Sequence, residues 1–180
     1  PIYESTIRFS GAKPIPIPLR EQNEFAFLAE EVLSKINEKT RLIILNSPAN
    51  PTGGVAPPSE FSALIEGLSE WPNVAIMSDE IYGQMLYDDR DHVSLIQYPQ
   101  ITDRLILLDG WSKTYAMTGW RLGYSVWPEK IAPHAEKLCV NIHSCVNSSA
   151  QFAGIAALKG DQSPVKTMVS AFDERRTVIV

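Results

Sequence analysis

Cysteine is scarce in this chain: Cys139 and Cys145 are the two among 180 residues. They lie six apart in one helical-looking region and so face different ways, which argues against a disulfide framework and fits a reducing compartment. Histidine is also sparse, and His92, His134 and His143 lack the spacing of a metal site. They read as surface or satisfied helix residues. Basic charge is in deficit, with 16 Lys and Arg against 21 Asp and Glu for a net −5. Without a Lys/Arg cluster, that balance argues against nucleic acid or an anionic membrane as partner. No apolar run approaches the length of a membrane span, and the opening PIYESTIRFSG lacks a signal-peptide layout, so a cytoplasmic setting is expected. Asn147-Ser148-Ser149, a glycosylation sequon without an export signal, is read as a chance match. The nucleotide-binding glycine patterns are missing too, so Ser112-Lys113-Thr114 is not a phosphate loop of nucleotide hydrolases. Neither end carries a polar, fraying segment, and Val178-Ile179-Val180 is an abrupt apolar finish. The expectation is a piece of a longer protein.

What is present is the composition of an ordinary globular domain, 44% hydrophobic and 21% charged. Residues 1–20 alternate weakly, and the prolines at 14, 16 and 18 bar a central strand, so an edge strand or extended segment is expected, with a strand near Tyr3. Phe25 to Lys39 carries apolar residues at helical spacing, which predicts one long helix capped by Asn23. Arg41–Asn46 predicts a buried strand; Glu60–Ser69, opened by Pro57-Pro58-Ser59, a helix with Phe61, Leu64, Ile65 and Leu68 inward; and Val74–Ser78 another strand. A short helix is expected near Leu95, then strands over Leu105–Leu108 and Leu122–Trp127. Helices follow from Pro128-Glu129 to about His143, from Ser148 to Leu158, and from Pro164 to Val180. Alternating strands and helices imply a three-layer α/β/α fold with a mainly parallel mixed sheet, in which ligands sit beyond the carboxyl ends of the strands.

The chemically suggestive residues fall at those ends. Asn50 follows one strand, Asp79 and Tyr82 the next, and Lys113 the third, with Arg121 eight residues further on. A desolvated lysine beside cationic groups can attack a carbonyl to form a Schiff base, and an arginine fork grips phosphate well. Together they suggest a phosphorylated aldehyde held covalently.

Three motifs in order, NPTGG at 50–54, DEIY at 79–82 and SKTYAMTGWRLGY at 112–124, resemble the class I aminotransferases of the aspartate aminotransferase superfamily, pyridoxal-phosphate enzymes of fold type I. The resemblance covers essentially the whole chain. It implies that Lys113 carries the cofactor as a Schiff base and then shuttles the substrate's proton. Asp79 would face the pyridine nitrogen, Tyr82 and Asn50 the cofactor's phenolic oxygen, and Arg121 its phosphate, with Ser112 a further phosphate ligand. Many members carry a serine three residues before the lysine, where this chain has Gly110. In the family a glycine-rich phosphate turn and a ring-stacking aromatic precede the first strand seen here, and a small domain follows. Residues 1–180 are therefore expected to be part of the large, cofactor-binding domain of a homodimer, inactive as an isolated piece. Transfer of an amino group between an amino acid, leaning toward the aspartate branch, and a 2-oxo acid is the implied activity. A carbon–sulfur β-lyase of the same fold, or a non-catalytic aminotransferase-like regulatory domain, would present the same cofactor residues.

Overall fold

The computed structural model describes residues 2–179. Its frame is a four-stranded sheet in the order β1 (Leu42–Asn46), β2 (Ala75–Asp79), β3 (Leu105–Gly110) and β4 (Gly123–Val126). β1, β2 and β3 run parallel and β4 returns antiparallel to β3, so the sheet is mixed and the fold is α/β. The register sets Ile43, Ile76 and Leu105 side by side. Because strand side chains alternate, Leu45, Ile76, Ser78, Leu105 and Leu107 share one face while Asp79 lies on the other.

The core occupies the first of these faces. Helix α2 (Ala29–Leu33) and helix α3 (Pro58–Gly67) cover it, burying Phe61, Leu64 and Leu68 against Leu45, Ile76 and Leu105. Pro58 at the first helical turn has its missing N–H where no partner is required. Each large apolar side chain so buried contributes about 1.5–3 kcal/mol. The remaining helices are α1 (Ile2–Phe9), α4 (Ala132–His143), α5 (Ser148–Lys159) and α6 (Ser163–Ile179). The end of the last predicted helix, Val180, lies outside the described residues. Among those residues no helix is long and apolar enough to cross a membrane.

Three expectations are corrected. Residues 2–9 are helical where a strand was expected near Tyr3: Tyr3 and Ile7, four apart, are the partly buried positions, and Arg8 pairs with Glu4 at 2.8 Å. The long helix over Phe25–Lys39 shrinks to Ala29–Leu33. Glu24 and Phe25 take left-handed backbone angles, Phe25 is pressed by Gly54, and the Ala29 N–H is claimed by the Glu60 carboxylate at 2.6 Å. Phe27 then packs edge-on against Phe61, ring centres 5.3 Å apart. Asn37 closes a turn by accepting from the Lys39 N–H at 2.9 Å, so the periodicity runs on past the helix. Finally, α4 starts at Ala132 and not at Pro128-Glu129, because the Pro128 carbonyl takes the Ile131 and Ala132 amides in a turn and Pro133 occupies the helix's first turn. Cys139 in α4 and Cys145 beyond it are both free and exposed. Asn147 caps α5 by accepting from the Ala150 N–H at 3.0 Å.

Candidate active site

The site is built where β1, β2 and β3 end. Asn46, the last residue of β1, donates its side-chain amide to the Asp79 carbonyl at 3.1 Å and accepts the Asn50 N–H at 2.9 Å. That double use fixes the turn after β1 to the end of β2. The turn itself closes through Ala49 and Gly54, and Gly53 supplies its left-handed angle, φ 72°. Gly54 allows a close approach: a Cβ there would stand 2.3 Å from the Phe25 carbonyl oxygen. Asn50 is thereby aimed across the sheet, and its amide donates to the Tyr82 hydroxyl at 2.9 Å.

Tyr82 receives the lysine as well. The Lys113 Nζ stands 5.7 Å from the centre of the Tyr82 ring, within reach of its negative face. Lys113 sits in a compact loop after β3, in which its own carbonyl accepts from the Ala116 N–H at 3.1 Å. The structure therefore gathers Asn50, Tyr82 and Lys113, from three separate strand ends, into one contact group. Asp79 closes β2 on the face away from the core, with Oδ1 accepting from the Ile81 N–H at 3.3 Å. Ser112 is half-buried beside the lysine. Arg121 is exposed at the far end of the loop, in a left-handed conformation, and donates to the Thr118 carbonyl at 2.8 Å.

One residue of this site was not singled out by the sequence. Tyr3 of α1 donates its hydroxyl to the Asp79 Oδ2. Burial first, and then the hydrogen bond to Asp79 and its charge, push the Tyr3 phenol well above its ordinary range, so it stays a neutral donor. No local pattern links positions 3 and 79; only the fold does.

Beneath the site, on the core face, lies a second polar group around a cavity of about 230 Å³ lined by Glu80, His92, Asp109, Thr114 and Tyr124, among others. His92 is not a helix residue: it sits in a loop, with Nε2 2.8 Å from Glu80 Oε2. Glu80 also accepts from Ser78 Oγ at 2.8 Å and from the Leu95 N–H at 3.0 Å. Burial pushes the Glu80 carboxyl up, but the hydrogen bonds from His92, Ser94, Leu95 and Ser78 outweigh it and the net shift is downward. Asp109 goes the other way, raised by burial against the hydrogen bonds of Gly110 and Tyr124. Burial and the neighbouring Asp109 lift the Tyr124 phenol to about 12.

The donor set at the strand ends is chemically specific. A carboxylate suits a protonated ring nitrogen, a phenol and a carboxamide suit an anionic ring oxygen, and an amine suits an aldehyde. These groups fit a planar pyridine aldehyde that carries a ring oxygen.

The family model for aminotransferases of class I and II matches residues 1–180. The aspartate aminotransferase of Pyrococcus horikoshii is 38% identical over 180 residues, an alignment that takes in 99% of this chain and 45% of that protein. Among solved structures, the aspartate aminotransferase from Rhizobium meliloti superposes with a TM-score of 0.95 at 32% identity, covering 99% of this chain and 45% of that one. An aromatic aminotransferase from Pyrococcus horikoshii OT3 does so with a TM-score of 0.93 at 33% identity, covering 98% and 48%. The chain thus spans a little under half the length of these relatives.

Proposed function

This chain belongs to the class I and II aminotransferase family, and from that premise we propose that it is the cofactor-holding part of the large domain of a pyridoxal-phosphate aminotransferase. The observation that carries the reading is the contact group itself: Tyr82 meets both Asn50 and Lys113 at the carboxyl ends of adjacent parallel strands. When bound, pyridoxal 5′-phosphate supplies an aldehyde for covalent attachment and a ring that accepts the electron pair left on the substrate's α-carbon.

The residues divide the remaining work. Lys113 would hold the cofactor covalently, and its free amine would move the proton between the substrate's α-carbon and the cofactor's C4′. Asp79 keeps a proton on the ring nitrogen, which a carboxylate does by making the cationic form favourable. Tyr82 and Asn50 orient the ring by hydrogen bonding its phenolic oxygen. Arg121, with Ser112, would bind the phosphate. The glycine-rich phosphate turn and the small domain belong to other parts of the protein, in keeping with the share of its relatives that the chain spans.

The substrates of the complete protein are an amino acid and a 2-oxo acid. The similarity to aspartate aminotransferases favours a dicarboxylic, aspartate-like donor. The complete protein works as a homodimer in the cytoplasm. Leu138, Ile142 and Phe152 of α4 and α5, exposed at 60%, 68% and 73%, support a partner copy on that face.

The test uses the full-length protein with pyridoxal phosphate, before and after borohydride, beside Lys113→Ala. The expected result is a visible band fixed by reduction onto Lys113. The substitution should remove it and slow transamination by about 10³-fold or more without unfolding the protein. A band and an activity that survive the substitution would sink the assignment.

A further inference from the structure

The loop that carries Lys113 is tied to helix α5 at two points, one on each side of the lysine. Two residues before it, the Trp111 indole N–H donates to the Gly154 carbonyl at 3.0 Å. Two residues after it, the Tyr115 hydroxyl donates to Gln162 Oε1 at 3.1 Å. Gln162 is itself bound to the end of α5, since its amide donates to the Ala157 and Gly160 carbonyls at 2.9 and 2.7 Å.

Trp111 also governs the loop's backbone. Its N–H donates to the Leu122 carbonyl at 3.3 Å, where β4 begins, and its carbonyl accepts from Tyr115 and Met117 at 3.2 and 3.4 Å. Displacing Trp111 therefore moves the closure of the whole turn around Lys113. The indole is seated on both sides, edge-on to Tyr124 with ring centres 5.5 Å apart, and in the notch left by Gly154. A Cβ at Gly154 would lie 3.1 Å from the indole Cε2 and 2.5 Å from a Leu122 methyl. Ala150 and Gly154 are the buried residues of α5, so the helix meets the rest of the chain on the side that carries this notch.

From this geometry we infer that Trp111 and Tyr115 are positioning residues that suspend the Lys113 loop from α5, with Gly154 as the seat. They act through the loop's backbone. The inference rests on the reading of Lys113 as the cofactor lysine, and it adds that the reach of the lysine is set by a helix outside the strand-end site.

The experiment compares full-length wild type with Trp111→Phe, Tyr115→Phe and Gly154→Ala. Tyr115→Phe removes one hydroxyl and keeps the ring, so it escapes the risk that Gly154→Ala fails to fold, whereas Trp111→Phe removes the N–H together with part of the indole's packing. Amide hydrogen exchange over residues 112–117 reads the anchor without any cofactor. Tyr115→Phe should speed exchange there by about fivefold, the effect of one lost hydrogen bond, Trp111→Phe by at least as much, and both should leave the β1–β3 amides unchanged. With pyridoxal phosphate added, covalent capture should slow by a similar factor, and the pH midpoint of the visible band should move. Exchange, capture rate and midpoint all at wild-type values would overturn the anchor. So would faster exchange spread evenly over the domain, which would make the indole and the phenol ordinary packing. A wild type whose Lys113 is never labelled would instead remove the functional reading, while the exchange data still decide whether the loop hangs from α5.

Discussion

The sheet with α2 and α3, and the helical arm from α4 to α6, were built by the same sequence rules and ended differently. In the first, Leu64, Leu68, Ile76 and Leu95 are fully buried. In the second, Leu138, Val140, Ile142, Phe152, Ile155 and Leu158 all stand exposed, and α6 has no buried residue among those described. Apolar residues recur along both. The difference is that α2 and α3 find the sheet face opposite, whereas α4 and α5 bury only small residues, Ala135, Ala150 and Gly154, and α6 reaches the rest of the chain through a charged side chain, Arg176 donating to Asp88 at 2.6 and 2.7 Å. A helix whose large apolar side chains point outward and whose small ones point inward is made to pack on something more. The core therefore carries its own stability, and the arm's stability depends on what covers it.

Paired substitutions would break that contrast if it is wrong. Leu64→Ala should cost the full-length protein about 2–5 kcal/mol, the range for truncating a buried leucine, independent of protein concentration. Leu138→Ser removes apolar surface that this chain leaves in water, so its effect should fall on self-association and make the melting temperature depend on concentration. Chemical denaturation at two protein concentrations checks both. Equal, concentration-independent losses would mean that the arm is a second core.

How much was legible follows the same division. The apolar runs within Arg41–Asn46, Val74–Ser78 and Leu105–Leu108 announced the strands, although burial is unbroken only at the start of β3, with Leu45 the buried residue of β1 and Ile76 and Ser78 those of β2. The helices of the arm were legible in the sequence, except for the start of α4, which the Pro128 turn delays to Ala132, and for Asn147, whose capping role was not read. The stretch over Phe25–Lys39 misled, since its helical spacing was overruled by Gly54, Glu60 and Phe61, all distant in sequence. At the site, motif order brought out Asn50, Tyr82 and Lys113, which the structure gathers, along with Arg121, whose hydrogen bond is to its own turn. Tyr3 and His92 were read blandly, and nothing in the sequence tied Trp111, beside the lysine, to α5. Their partners lie 76, 12 and 43 residues away, and a one-residue signal at such distance has no periodicity to betray it.

The polar cavity on the core side sharpens the comparison through pH. Glu80 titrates below its ordinary value, so its hydrogen bonds contribute stability above that value, and the contribution is lost as pH falls through its depressed pKa. Asp109 is raised, so its ionisation opposes folding at neutral pH, and the opposition is relieved as pH falls through its elevated value. Glu80→Gln should cost about 1–3 kcal/mol at neutral pH and flatten the acid limb of the stability curve. Asp109→Asn should be neutral or stabilising at pH 7 and remove the relief on acidification. Unfolding free energies measured from pH 7 down to 3 distinguish the two, and identical acid limbs in both variants would contradict the opposite shifts.

The smallest expected effect belongs to Tyr3→Phe, and it probes whether α1 belongs with the self-sufficient core or with the arm. The hydroxyl is half-buried and neutral, so its loss should cost about 0.5–1.5 kcal/mol at pH 7. Its raised pKa gives a signature that packing loss cannot imitate. A tyrosine whose folded value exceeds the unfolded one loses stabilisation as pH rises from about 10 through the folded value, because the folded state then holds a proton that the unfolded state has released. Wild type should therefore weaken in that alkaline range more steeply than Tyr3→Phe, and the two curves should converge. In the full-length protein the same variant should also loosen cofactor binding about fivefold, since Asp79 loses the donor that holds one carboxylate oxygen in place. If the alkaline limbs run parallel, the Tyr3–Asp79 bond is not formed in solution, and α1 must be grouped with the arm as a helix waiting for its cover.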